Sequence, residues 1–160
     1  MDVFSRTFLP ATSQAGLPIP VVSRHMPVLR PCVTPGDTTV VATRCHRPGQ
    51  PLDGFYLLLL TNRSLVVTRE TRFLHRVRLH LAADLRFLED VTWTSDPRMR
   101  SMELAVTTPD GIRERFWFPV FYTRRLWHLD ALFSHVFRSR AVAGTAPRAQ
   151  PRLFSPAGAF

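Results

Sequence analysis

Residues 101–118 can close into a β-hairpin in one way that keeps an apolar face together. Met102, Leu104 and Val106 alternate with Ser101, Glu103 and Ala105; beyond Pro109-Asp110-Gly111, the residues Ile112, Phe116 and Phe118 alternate with Arg113, Arg115 and Trp117. Successive strand side chains point to opposite faces, so the apolar sets meet only if Leu104 pairs with Phe116 and Met102 with Phe118. That register leaves residues 109–111 as the loop, where proline suits the first turn position and Gly111 the left-handed residue of a bulged turn. It turns Glu114 inward at an exposed rim and leaves Trp117 on the outer face with Arg113 and Arg115.

The same period of two runs back along the chain. Thr38 to Thr43 is a β-branched run that follows a Pro35-Gly36-Asp37 turn. Phe55 to Leu60 is apolar on both faces, as a central strand would be. Asn62-Arg63 turns it into Ser64 to Thr68, its hairpin partner. Residues 72–81 alternate, with Arg72, Leu74, Arg76, Arg78 and His80 on one side and Phe73, His75, Val77, Leu79 and Leu81 on the other; the second set is the expected core face. Leu85, Leu88, Val91 and Trp93 mark a turn entering a further strand. From Tyr122 the period changes: Tyr122, Leu126, Leu129, Leu132, Phe133, Val136 and Phe137 fall at helical spacing up to Arg138. The expected fold is mainly β, about seven strands closed by one C-terminal helix.

The 160 residues suffice for one domain. Proline outnumbers glycine, 14 to 7, and Pro10, Pro18, Pro20, Pro27, Pro31 and Pro35 crowd the first 36 residues. Because proline lacks the ladder N–H and fixes φ, residues 1–33 are expected to form an extended, polyproline-like arm. Residues 139–160, rich in Ala, Pro and Arg without periodicity, are expected to be a disordered basic tail. The domain is then 34–138. Of the net charge of +9, residues 34–138 carry +4 and the two flanking segments the rest. All 21 basic residues are arginine, a pattern that GC-rich codon usage explains better than selection at a few sites. Cys32 and Cys45 have neither zinc-finger spacing nor a disulfide framework, and free thiols are expected. No basic stretch followed by an apolar one is visible at the start, and the longest wholly apolar run, Phe55–Leu60, falls far short of a membrane span. The expected location is cytoplasmic, with peripheral membrane contact open.

The Pro35-Gly36-Asp37 entry, the strand from Phe55 to Thr61 running through Asn62-Arg63 into Ser64-Leu65-Val66-Val67, and the closing helix at 122–138 together resemble the pleckstrin-homology-like superfold, most closely its bacterial and GRAM-like branches. The resemblance covers roughly residues 34–138. It implies a strongly bent antiparallel sheet or barrel plugged by the helix, and binding rather than catalysis. Partners in that superfold include phosphoinositides, other anionic lipids, peptides and proteins. Its phosphoinositide binders keep a basic cluster between the first two strands. Residues 46–53 depart from that pattern: His46 and Arg47 are followed by Pro48, Gly49, Gln50 and Asp53.

Catalytic patterns are not evident. There is no glycine-rich phosphate loop or nucleophile elbow. His75 and His80 have opposite strand parity, His128 and His135 stand about 10 Å apart along a helix, and Glu89 and Asp90 are adjacent. The chain is read as non-enzymatic, needing no cofactor or metal. The candidate binding residues are the basic ladder Arg72, Arg76, Arg78 and His80, joined by Arg113, Arg115 and Trp117. A protein partner is the leading expectation, including a second copy joined through a sheet edge. An anionic membrane surface comes next, and non-specific nucleic-acid binding last, since no nucleic-acid reader motif is present.

Overall fold

The structure is a computed structural model that describes residues 1–49 and 54–141, with the side chains of the last three left aside. Seven antiparallel strands form two meanders. The first sheet joins β1 (Thr39–Cys45), β2 (Phe55–Thr61), β3 (Ser64–Glu70) and β4 (Val77–Asp84) in sequence order; the second joins β5 (Glu89–Asp96), β6 (Ser101–Thr107) and β7 (Arg113–Pro119). A 3-10 turn at Leu85–Phe87, capped by the Asp84 carboxylate on the Arg86 N–H, carries the chain from one to the other. Helix α3 (Thr123–Ala141) follows β7.

The hairpin expected at 101–118 forms in the expected register, with Leu104 opposite Phe116 and Met102 opposite Phe118. Thr108 and Ile112 close the loop, and Gly111 takes φ 81°, the left-handed conformation the turn demands. Glu114 points inward as expected, but it is buried rather than rim-exposed.

The expected barrel is not closed. Among the described residues, one isolated bridge joins the ladders of the two sheets, in which His46 and Trp117 exchange backbone hydrogen bonds of 2.7 and 2.8 Å. Between them lies the larger core: Tyr56, Leu58, Leu60, Leu65 and Val67 face Met102, Leu104, Val106, Phe116 and Phe118, and α3 adds Leu126, Leu129 and Phe133. Burial of this apolar stripe is what holds α3 in place.

The N-terminal segment is not the expected extended arm. It forms α1 (Val3–Gln14) and α2 (Ile19–Leu29). Pro18 and Pro20 sit at the start of α2, where no intrahelical donor is lost, and Pro31 and Pro35 lie beyond it. Only Pro10 and Pro27 interrupt helices. Against that cost stands apolar burial at helical spacing: Phe4 and Phe8 from α1, and Val22 and Leu29 from α2, pack on Ala42, Leu57, Leu59 and Val66. The segment thus covers the outer face of the first sheet, which explains why β2 is apolar on both sides. Asp2 caps α1 by accepting from the Ser5 N–H.

The run 72–81 is also not one continuous strand. Residues 71–76 form the β3–β4 turn, with His75 at φ 48°. The ladder shifts between Val67 and Thr68, which pair with Leu81 and Leu79, so His80 is an extra residue on β4. A bulge of this kind inverts the alternation on one side of it. Leu81 and Ala83 consequently pack on the core, whereas Leu79 is half exposed and Phe73, expected inside, is 87% exposed.

The expected tail falls mostly on residues 142–160, outside the described residues. Cys32 and Cys45 are free thiols. Burial in the core pushes the Cys45 thiol pKa far up. No described helix is long and apolar enough to cross a membrane.

Candidate functional site

On the outer face of the first sheet, alternation aligns Arg44 of β1, Phe55 of β2, and Thr68 and Glu70 of β3. Helix α2 lies over this row. Its His25 is fully buried; Nδ1 lies 2.7 Å from the Thr68 hydroxyl and Nε2 2.9 Å from Glu70 Oε2. Because the carboxylate can only accept, the neutral imidazole donates from Nε2 to Glu70 and accepts the Thr68 hydroxyl proton at Nδ1. Burial pushes the His25 pKa down, and the Glu70 hydrogen bond and charge oppose that only in part. Arg24 Nε donates to Glu70 Oε1 at 2.6 Å, and His75 Nδ1 reaches the same oxygen at 3.0 Å. Burial raises the Glu70 carboxyl, but the bonds from His25, Arg24 and His75 outweigh it, so its pKa lies below the ordinary value.

Hydroxyl, imidazole and carboxylate in this order form the arrangement of a nucleophile relay. Here both Thr68 and His25 have no exposed surface, so a substrate cannot reach the hydroxyl. The arrangement clamps α2 to β3.

Beside the clamp opens a cleft of about 540 Å³ lined by Arg24, Arg44, His46, Phe55, Arg72 and His75, with Glu70 as its carboxylate. Arg44 lies over the Phe55 ring, its guanidinium carbon 4.2 Å from the centroid. Gly54 closes the base at φ 100°; a Cβ there would stand 2.5 Å from the Glu70 carbonyl oxygen, so the close approach requires glycine. The β3–β4 turn forms the lip, where Phe73 and Leu74 are 87% and 70% exposed between Arg72 and Arg76.

The structure divides the seven residues singled out by sequence. Arg72, Arg76 and Arg78 belong to the lip and the adjoining start of β4, all exposed. His80 leaves the ladder: the bulge turns it inward, edge-on to Tyr56 and Phe116, with Nε2 3.3 Å from Glu114 Oε1. Arg47 approaches the other Glu114 oxygen at 3.3 Å, so β4, β7 and the β1–β2 connection converge on one buried carboxylate. Arg113 and Arg115 are on the second sheet and already engaged: Arg113 with the Asp90 carbonyl and the hydroxyls of Thr92 and Thr107, Arg115 with Glu103 at 2.7 Å. Trp117 is half-buried against the His46 ring rather than exposed.

Sequence reasoning missed Arg24, Arg44 and Glu70. Arg24 lies in a helix where the prolines imply extended chain, and Glu70 lies beyond the strand expected at Ser64 to Thr68. The exposed Phe73-Leu74 pair was hidden because its alternation continued that of β4. No described group of histidine, cysteine or carboxylate side chains could hold a metal ion. No known protein family matches this chain, and neither does any curated protein.

Proposed function

We propose that this chain is a non-catalytic binding module on a pleckstrin-homology-like scaffold, and that it docks peripherally on anionic lipid surfaces through the β3–β4 turn. The four-plus-three meander followed by one helix supports the scaffold reading. The observation that carries the function is the lip: two large apolar side chains held in solvent between Arg72 and Arg76, with Arg78 beside them and a cationic cleft behind. A buried apolar side chain of this size contributes about 1.5–3 kcal/mol, and each arginine near an anionic leaflet about 1 kcal/mol. Stable attachment takes both kinds of signal, and the turn supplies both.

The test is flotation with phosphatidylserine-containing vesicles and with neutral vesicles, at low and physiological salt. The folded wild-type chain binds the anionic vesicles in both salts. Phe73→Ser/Leu74→Ser and Arg72→Ala/Arg76→Ala each lose binding at physiological salt. Failure of the wild type to float at either salt rejects the proposal, as does binding that both double variants retain.

A protein partner is the second reading. It rests on β4, whose far side carries no strand among the described residues and which exposes Leu79. Concentration-dependent, salt-insensitive self-association in sedimentation would favour it.

A further inference from the structure

A second cleft, of about 710 Å³, opens where β7 leaves its sheet and α3 begins. Arg100, Phe121, Tyr122, Arg124, Arg125 and His128 line it. It uses none of the β3–β4 turn residues. Its arginines lack internal counter-charges: among the described residues, the side chains of Arg124 and Arg125, like that of the neighbouring His128, make no hydrogen bond or ion pair. The nearest acidic residues in sequence are committed elsewhere. Glu103 accepts from Arg115 Nε at 2.7 Å, Asp96 accepts from the Arg98 and Met99 N–H groups, and Asp130 accepts from Trp93 Nε1 at 2.7 Å. The first turn of α3 contains no acidic residue, and residues 139–160 contain none either. Arg100 is steadied by its bond to the Phe121 carbonyl oxygen at 3.4 Å.

Arg125 is the informative member. It is half-buried, and burial alone lowers its pKa, with no carboxylate nearby to oppose the shift. A guanidinium withdrawn from water without an anion is costly. An oxyanion from solution relieves that cost and gains the bidentate geometry that arginine offers. Three guanidinium groups and an imidazole suit a multiply charged phosphate better than a single carboxylate. Phe121 and Tyr122 stand 61% and 75% exposed on the same cleft, and aromatic faces beside arginines are the surfaces on which nucleobases stack. The volume falls within the range of about 300–1,000 Å³ typical of small-ligand sites. The cations form one cluster rather than a track, which suits a single small ligand rather than a strand.

We propose that this cleft binds a nucleoside phosphate, its phosphates held by Arg100, Arg124, Arg125 and His128 and its base resting on Phe121 and Tyr122. The site is independent of membrane docking, because it shares no residue with the β3–β4 turn.

Calorimetric titration of the full chain with ADP, with pyrophosphate and with poly-glutamate tests it. ADP binds saturably, and more tightly than pyrophosphate. Arg124→Ala and Arg100→Ala, both at exposed positions, each weaken ADP by about tenfold or more, with circular dichroism unchanged. Tyr122→Ala weakens ADP and leaves pyrophosphate as it was. Phe73→Ser/Leu74→Ser changes neither, even if that variant no longer floats with vesicles. The proposal is overturned by absence of heat at millimolar ADP, by pyrophosphate binding as tightly as ADP, by poly-glutamate displacing ADP, or by ADP binding that the arginine variants keep.

Discussion

Replacing Glu70 with alanine probes the clamp that ties α2 to the sheet. Glu70 is 3% exposed and accepts from three side chains of unequal worth. His75 is 62% exposed and Arg24 36% exposed, so their ion pairs are screened by solvent and contribute little. His25 is fully buried, and the substitution leaves its Nε2–H without an acceptor. An orphaned buried donor costs about 1–3 kcal/mol and the two screened pairs together between nothing and about 1 kcal/mol, so the loss is about 1–4 kcal/mol. That is a large share of the roughly 5–15 kcal/mol typical of a domain. Urea unfolding followed by circular dichroism at pH 7 measures it. The pH dependence provides a second check. His25 has a folded pKa below its ordinary 6.5, so the unfolded chain binds a proton first and stability falls as pH drops below 6.5, down to the folded value. Glu70 has a folded pKa below its ordinary 4.5, so its contribution is intact above 4.5 and is lost as pH falls through the folded value. In Glu70→Ala the groups that support the His25 imidazolium are gone, and the decline that starts at 6.5 continues to lower pH than in wild type. A loss below about 0.5 kcal/mol at pH 7, or stability that rises from pH 6.5 to 5, would refute the clamp.

Two further substitutions test the architecture. Phe8→Ala empties a fully buried site between α1 and the sheet and should cost about 3–5 kcal/mol in the same urea assay; a cost near zero would mean that α1 is not docked. Gly54→Ala forces a Cβ against the Glu70 backbone at positive φ and should lower stability by more than about 1 kcal/mol, whereas Gly49→Ala, also at positive φ but with open space around it, should cost less.

The elements readable from sequence are those encoded by neighbours. The β6–β7 register followed from two local patterns that admit one alignment, and it is the register observed. The β2–β3 hairpin and α3 were visible for the same reason, since their periods persist over several residues. Of the proposed lip, Arg72, Arg76 and Arg78 were visible as a basic alternation with Leu74 on the same side, but Phe73 between them fell on the expected core face.

What escaped depends on residues far apart in the chain. Prolines made residues 1–33 look extended, and only the apolar outer face of β2 and β3 offers α1 and α2 enough burial to offset that preference. His25 and Glu70 are 45 residues apart, and neither signals the other until α2 is laid across β3. The bulge at His80 exists only in the pairing of β4 with β3; one extra residue there turns a surface histidine into a core-facing one. Alternation alone therefore determined that this chain is built of antiparallel hairpins closed by a helix. Tertiary pairing decided which faces those hairpins bury, because a strand's period repeats every two residues and a single inserted residue exchanges its sides.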